Sequence, residues 1–127
     1  MVVQFVVIGL GAVLGANLRF VVGNWAAERI GVDFPYGTFI VNVSGAFAVG
    51  IVLAFLAERA GVNPLWRLFF VTGFLGGYTT FSSYAWEALA LAEGGAWLRA
   101  AAYVIGSNVL GLIGVWLGAG LARLTLS

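Results

Sequence analysis

Residues 36–57, YGTFIVNVSGAFAVGIVLAFLA, decide the fold, because this stretch contains no charged side chain. A helix needs about 20 mainly apolar residues to cross a hydrocarbon core about 30 Å thick. The stretch meets that requirement and is bounded by turn residues: Pro35 stands before it, and Gly61, Asn63 and Pro64 follow it. It therefore predicts a transmembrane helix over residues 36–57.

Three further apolar stretches surround this one. They are residues 2–26, interrupted by Gln4, Asn17 and Arg19; residues 68–86, with Glu87 in the tail of the span; and residues 100–122. Residues 28–35, residues 58–67 and the pair Gly94-Gly95 separate the stretches and are expected to form turns. The sequence thus predicts an all-α integral membrane protein, a single domain of residues 1–127 with four transmembrane helices.

The composition excludes several classes of function. Hydrophobic residues make up 62% of the chain and charged residues 9%, against roughly 25% in ordinary soluble domains. The absence of cysteine and histidine excludes thiolate or imidazole metal sites and the usual nucleophile–histidine pairs of enzymes. We therefore expect no enzyme. The six basic residues are dispersed arginines, so we also expect no nucleic-acid partner.

The arginines are divided almost evenly between the two sides of a four-span topology. One side carries Arg59, Arg67 and Arg123, and the other carries Arg29 and Arg99, with Arg19 inside span one near that end. Asymmetry of arginine and lysine in short loops sets the direction of insertion. The balance predicts insertion in both orientations and an antiparallel dimer; the alternative is that one orientation wins through a weak preference.

Glycines mark the helix contacts and one candidate ion site. Gly11 and Gly15, and likewise Gly114 and Gly118, are spaced i, i+4, which predicts close approach of helix backbones in lipid. The run GGYTT at 76–80 combines poor helix formers in the middle of span three. It predicts a break in that helix, and carbonyls freed at membrane depth need protein, water or an ion as partner.

Neutral polar side chains fall on definable faces of the predicted helices. Span two carries Thr38, Asn42 and Gly45; span three carries Thr79 or Thr80, Ser83 and Glu87, with Phe81 and Tyr84 beside them; span four carries Tyr103, Ser107 and Gly111, with Asn108 next to them. Neutral donors suit an anion that must be dehydrated and released again, and aromatic ring edges are electropositive. Ordinary helix packing and interhelical hydrogen bonding remain the alternative use of these groups.

Three stretches carry a resemblance to a known family. They are GAVLGANLRF at 11–20, GTFIVNVSG at 37–45 and, most specifically, GFLGGYTTFSSYAWE at 73–87. Together they resemble the fluoride channel family, Fluc, also called CrcB. The resemblance implies an antiparallel dual-topology homodimer in the inner or plasma membrane of the cell. It also implies passive, selective fluoride export that relieves fluoride toxicity, through two pores per dimer.

The resemblance also implies particular roles for residues. A sodium ion at the dimer centre would be held by the backbone carbonyls of Gly76 and Thr79. The fluoride pore would be lined by Asn42, Phe81, Tyr84, Ser82, Ser83, Tyr103 and Ser107, with Thr38 beside them. Arg19 matches the arginine of span one, with a vestibule or structural role, and Glu87 the acid that closes the motif. Tyr84 departs from the usual phenylalanine, and Gly111 stands where a further hydroxyl can occur.

Two other functions remain as alternatives. A dual-topology exporter resembling the small multidrug resistance proteins would need an acidic residue in span one, where only Gln4, Asn17 and Arg19 are polar. A structural or assembly subunit would use the polar faces only to hold helices together. Membrane lipid, fluoride, sodium and a second copy of the chain are the partners expected from the leading interpretation.

Overall fold

The computed structural model describes Met1 to Ser127 and consists of helices joined by short turns. The elements are α1 (Val2–Arg29), α2 (Tyr36–Ala57), α3 (Leu65–Arg67), a π-helix (Leu68–Leu75), α4 (Gly76–Tyr78), α5 (Phe81–Glu93) and α6 (Trp97–Leu126). Of these, α1, α2 and α6 are each long and apolar enough to cross a membrane. The third predicted span is a succession of shorter pieces, α3, the π-helix, α4 and α5.

Two predicted turns are shorter in the structure than in the sequence interpretation. The helix α1 runs on to Arg29, past residue 26, and ends before Gly31, whose φ of 127° suits glycine. Residues 65–67 are helical rather than part of the second turn. Pro64 precedes this helix with φ of −55° and the Asn63 carboxamide accepts from the Leu65 N–H at 2.9 Å, so both residues start a helix there.

The third span changes its backbone geometry twice. Its first part is a π-helix, whose wide turns are uncommon and occur often at functional sites. Further along, Thr79 has ψ of 159° and Thr80 has φ of −151° and ψ of 115°, so both have extended backbone. A new helix begins at Phe81, and the Thr80 hydroxyl caps it by accepting from the Ser83 N–H at 3.2 Å.

Glycines allow the helices to pack backbone against backbone. The helix α1 packs on the π-helix and α4, while α2 packs between α1 and α6. A Cβ on Gly11 would lie 2.8 Å from the Phe74 nitrogen, and one on Gly118 would lie 3.1 Å from the Ile51 nitrogen. These distances are shorter than ordinary contact, so the predicted close approach at the glycine pairs is confirmed.

Large apolar side chains cover the outside of the helices. Only 16 of the 127 residues are buried, while Phe5, Trp116 and Leu98 are 66%, 73% and 85% exposed. Soluble monomers rarely expose apolar patches beyond a few hundred Å². The surface is therefore one that faces lipid or another apolar partner, and the chain is a multi-pass membrane protein.

Candidate functional site

A cleft of about 420 Å³ opens beside the extended residues of the third span. The polar groups that line it come from α2, the third span and α6: Asn42, Gly76, Thr79, Thr80, Tyr84, Ser107 and Asn108, with Phe81 among the apolar lining. None of its lining residues carries a charge. The fold thus brings together polar groups from three parts of the chain in a neutral, partly apolar space.

Asn42 binds both backbone groups of Thr80. Its Nδ2 donates to the Thr80 carbonyl at 2.9 Å, and its Oδ1 accepts from the Thr80 N–H at 2.7 Å. In a continuous α-helix that N–H would donate to the carbonyl of Gly76, four residues earlier. The side chain of Asn42 therefore satisfies the extended backbone, and the Gly76 carbonyl at the cleft loses its α-helical donor.

The Ser107 hydroxyl has no hydrogen-bond partner, although its oxygen is buried. Ser107 lies on α6 and lines the cleft. A buried hydroxyl without a partner costs free energy, about 1–3 kcal/mol. Such a group is explained when a bound species or water supplies the missing contact, and the cleft is where that species would lie.

Aromatic rings form the side of the cleft on α5. Phe81 is 79% exposed, and its ring centroid lies 5.6 Å from that of Tyr84 with the planes at 47°. The Tyr84 ring in turn meets Tyr103 edge to face at 5.3 Å. Asn108 donates to the Tyr84 hydroxyl at 2.9 Å, so the phenolic oxygen is held while its proton can be donated elsewhere.

Glu87 accepts hydrogen bonds from two hydroxyls and forms no ion pair with an arginine. The Thr38 hydroxyl donates to Oε1 at 2.8 Å, and the Tyr103 hydroxyl donates to Oε2 at 2.7 Å. The three side chains join α2, α5 and α6. Both hydroxyls donate to the carboxylate, and neither Thr38 nor Tyr103 lines the cleft.

We expect Tyr103→Phe to reduce stability by about 2 kcal/mol, because Glu87 would lose a charge-assisted hydrogen bond. Tyr103 is fully buried, so no water replaces the lost donor. Thermal unfolding of the purified protein in detergent measures the effect. The matched control is Tyr36→Phe, since no hydrogen bond involves the Tyr36 hydroxyl; equal unfolding temperatures for the two variants would contradict this interpretation.

The remaining predicted residues lie around the extended residues Thr79 and Thr80 and do not line the cleft. Ser83 accepts from the Thr80 hydroxyl at 3.1 Å, and Ser82 lies 3.4 Å from the same oxygen. Arg19, half-buried on α1, donates from Nη1 to the Thr79 carbonyl at 3.2 Å. Arg19 therefore holds the backbone of the extended segment, a contact that none of the roles considered from the sequence had specified.

Two residues at the site were placed on polar faces from the sequence but were given no role in it. Thr80 is 8% exposed and at the centre of the network around Asn42, and Asn108 fixes the Tyr84 hydroxyl. A signal for Thr80 exists, since threonine before a helix that starts with FSS is a typical N-cap. Asn108 carries no such signal, because its contact depends on how α6 packs on α5.

Neutral oxygen atoms of the backbone and of hydroxyl and carboxamide side chains are the ligands that the site offers to a cation. No cluster of three histidine, cysteine, aspartate or glutamate side chains could hold a metal ion. The carbonyls of Gly76 and Thr79 belong to residues that line the cleft. A hard cation such as sodium would suit these oxygens, whereas a transition metal that prefers nitrogen or sulfur would not.

Comparison with known proteins places this arrangement in a family. The family profile described as "CrcB-like protein, Camphor Resistance (CrcB)" matches residues 6–119. A protein of Roseiflexus sp. named "Fluoride-specific ion channel FluC" is 50% identical over 120 residues, covering 94% of this chain and 97% of its own. Proteins of the same name from Solibacter usitatus and Aquifex aeolicus are 49% and 42% identical, covering 94% and 87% of this chain and 98% and 90% of their own. With the match extending over nearly all of its length, the chain belongs to the CrcB family.

Proposed function

We propose that the protein is a fluoride-selective channel that exports fluoride passively across the inner or plasma membrane and so relieves fluoride toxicity. The observation that carries the proposal is the buried Ser107 hydroxyl without a partner, on an uncharged cleft beside the rings of Phe81 and Tyr84. Relatives from three organisms are named fluoride-specific channels and none as an enzyme, which supports the proposal.

The chemistry of the cleft suits a small anion that must exchange its water for protein groups. Hydroxyls and carboxamides donate hydrogen bonds without a full charge, so the ion is stabilised yet free to leave. Ser107 and Tyr84 supply hydroxyl protons, and the Phe81 ring offers an electropositive edge. Arg19 lies behind the break, bound to the Thr79 carbonyl, and adds a positive potential without forming an ion pair in the cleft.

The proposal includes two copies of the chain, inserted in opposite directions, with two pores per dimer. The cleft is open on one side, and Phe81 is 79% exposed there. A second copy packed against this face would enclose the cleft, and the same contact would enclose the partner's cleft as well. The even distribution of the arginines favours the antiparallel arrangement over the parallel one.

We further propose a structural sodium ion at the dimer centre, held by the carbonyls of Gly76 and Thr79 from both copies. The Gly76 carbonyl lacks its helical donor because Asn42 binds the Thr80 N–H. The Thr79 carbonyl accepts from Arg19 but has a second lone pair. A cation there would offset the negative charge of two nearby fluoride ions. The break in the third span would leave these carbonyl oxygens free to bind it.

Reconstituted liposomes test the function directly. Vesicles loaded with potassium fluoride should release fluoride, detected with an electrode, when valinomycin lets potassium leave. Vesicles loaded with potassium chloride should release little chloride. Equal release of the two halides, or none of either, would contradict a selective fluoride channel; uptake of quaternary ammonium driven by a pH gradient would instead identify an exporter similar to the small multidrug resistance proteins.

Ser107→Ala is expected to lower fluoride flux about tenfold, because the ion would lose a hydrogen bond to a neutral donor, worth about 1–1.5 kcal/mol. Ser127→Ala is the matched control, since the Ser127 hydroxyl donates to the Leu124 carbonyl at 3.0 Å and lies outside the cleft. Both variants should elute from a sizing column like the wild type. Wild-type flux in Ser107→Ala would remove Ser107 from the pore.

A further inference from the structure

Two adjoining cavities lie at the end of α2, away from the cleft. One, of about 300 Å³, is lined by Arg59 and Arg67 and by the turn between them. The other, of about 460 Å³, is lined only by apolar side chains, among them Phe55, Trp66 and Phe70. Leu56 and Val62 line both cavities, so a charged chamber at the turn continues into an apolar groove along the helix.

The two arginines have no anionic partner within the chain. Arg59 packs its guanidinium 4.5 Å above the Phe55 ring, a cation–π contact that leaves its donors free. The side-chain hydrogen bonds of arginines in this chain belong to Arg19 and Arg99. Glu58, next to Arg59 in sequence, does not line the chamber. The chamber is therefore basic, and its donors are available to an anion.

The position of the groove relative to the membrane follows from the helix geometry. The chamber belongs to the turn after Ala57, where the chain leaves the apolar span, and the groove begins at Ile51. Six residues of α-helix correspond to about 9 Å along the axis. The groove therefore runs from the level of the lipid headgroups to the depth of the upper acyl carbons.

We propose that this pair of cavities binds one anionic phospholipid. The phosphate would lie between Arg59 and Arg67, whose planar guanidinium groups match phosphate oxygens, and one acyl chain would occupy the groove against Trp66 and Phe70. Basic pockets at the membrane surface are the usual sites for anionic headgroups. Because a zwitterionic lipid brings a second, positive group to the same arginines, the site favours a headgroup with net negative charge.

The lipid site is separate from the proposed pore and has its own consequence. No residue lines both the cleft and either of these cavities. In the proposed antiparallel dimer the two sites lie in opposite leaflets, so an anionic lipid on each side would hold the end of α2 against the start of the third span. If the protein did not transport fluoride, the proposed lipid site would still stand. If it bound no lipid here, the proposed fluoride channel would still stand.

Fluorescence quenching at Trp66 tests the proposal. A variant that keeps Trp66 while Trp25, Trp86, Trp97 and Trp116 become phenylalanine is reconstituted in phosphatidylcholine vesicles with a small fraction of phospholipid brominated on its acyl chains. Brominated phosphatidylglycerol should quench Trp66 more than brominated phosphatidylcholine at equal mole fraction. Arg59→Gln with Arg67→Gln should lower the preference about 25-fold, roughly fivefold for each arginine, whereas Arg29→Gln with Arg99→Gln should preserve it.

Each other outcome would overturn the proposal. Equal quenching by both lipids would mean that only the general lipid layer reaches Trp66. Absence of quenching by either lipid would mean that a second copy of the chain covers the groove. Native mass spectrometry of the wild-type protein with both lipids supplies the same comparison without the tryptophan substitutions: retention of phosphatidylglycerol over phosphatidylcholine is expected, and equal retention would reject the site.

Discussion

A protein with Asn42→Asp is expected to conduct fluoride about 100-fold more slowly than the wild type. The carboxylate cannot donate to the Thr80 carbonyl, which Asn42 now binds at 2.9 Å, and it would place negative charge against that oxygen. An unpaired buried carbonyl costs about 1–3 kcal/mol, and repulsion between the two oxygens adds to it. The extended segment that presents Gly76, Thr79 and Phe81 would lose its fixed geometry, and an anion would meet a negative charge at the cleft.

Fluoride efflux from liposomes measures this effect, with Asn17→Asp as the matched control. The Asn17 carboxamide donates to the Val13 carbonyl within its own helix, is exposed and does not line the cleft. The control should retain flux within about twofold, in keeping with the small effect of surface substitutions. Equal losses in the two variants would mean that an added negative charge lowers transport wherever it lies in a span, and the specific role of Asn42 would be refuted.

The transmembrane character of the chain was predictable because it depends on local composition. Uncharged stretches of about 20 residues can only be satisfied in lipid or in a large core, and α2 begins and ends where the sequence predicts, at Tyr36 and Ala57. The π-helix over 68–75 was not predictable. Its wide turns accompany the close contact between Gly73 and α1, where a Cβ would lie 2.6 Å from the Ile8 carbonyl oxygen. Glycines in the sequence indicate close helix contacts, but they do not specify which helices meet.

The candidate site, too, was predictable from the sequence only in part. Residues of one motif, such as Gly76, Thr79, Phe81 and Tyr84, lie together in the cleft because they are neighbours in sequence. The partner of Glu87 was left open by the sequence. Thr38 lies 49 positions away along the chain, and pairing over that distance depends on how α2, α5 and α6 pack. Polar side chains in spans can thus be selected from sequence, whereas their partners follow only from the packing.

Gly15→Ala is expected to have the largest effect on folding. A Cβ at Gly15 would lie 2.8 Å from the Phe74 carbonyl carbon and 2.9 Å from the Tyr78 nitrogen, both backbone atoms of the third span. Carbon atoms normally pack at 3.5–4.0 Å, and backbone cannot turn aside as a flexible side chain can. Overpacking of this kind costs about 3 kcal/mol, and α1 would separate from the π-helix and α4.

The matched control is Gly9→Ala on the same helix, because no atom lies within 4 Å of a Cβ at Gly9. Sizing chromatography and thermal unfolding in detergent should show a normal protein for Gly9→Ala and a destabilised or aggregated one for Gly15→Ala. The same displacement would move Thr79 away from Arg19 on α1, so any Gly15→Ala protein that remains folded should also conduct poorly. A Gly15→Ala protein as stable as the control would mean that α1 does not pack against the third span through its glycines. The inference that α1 supports the extended segment would then be refuted.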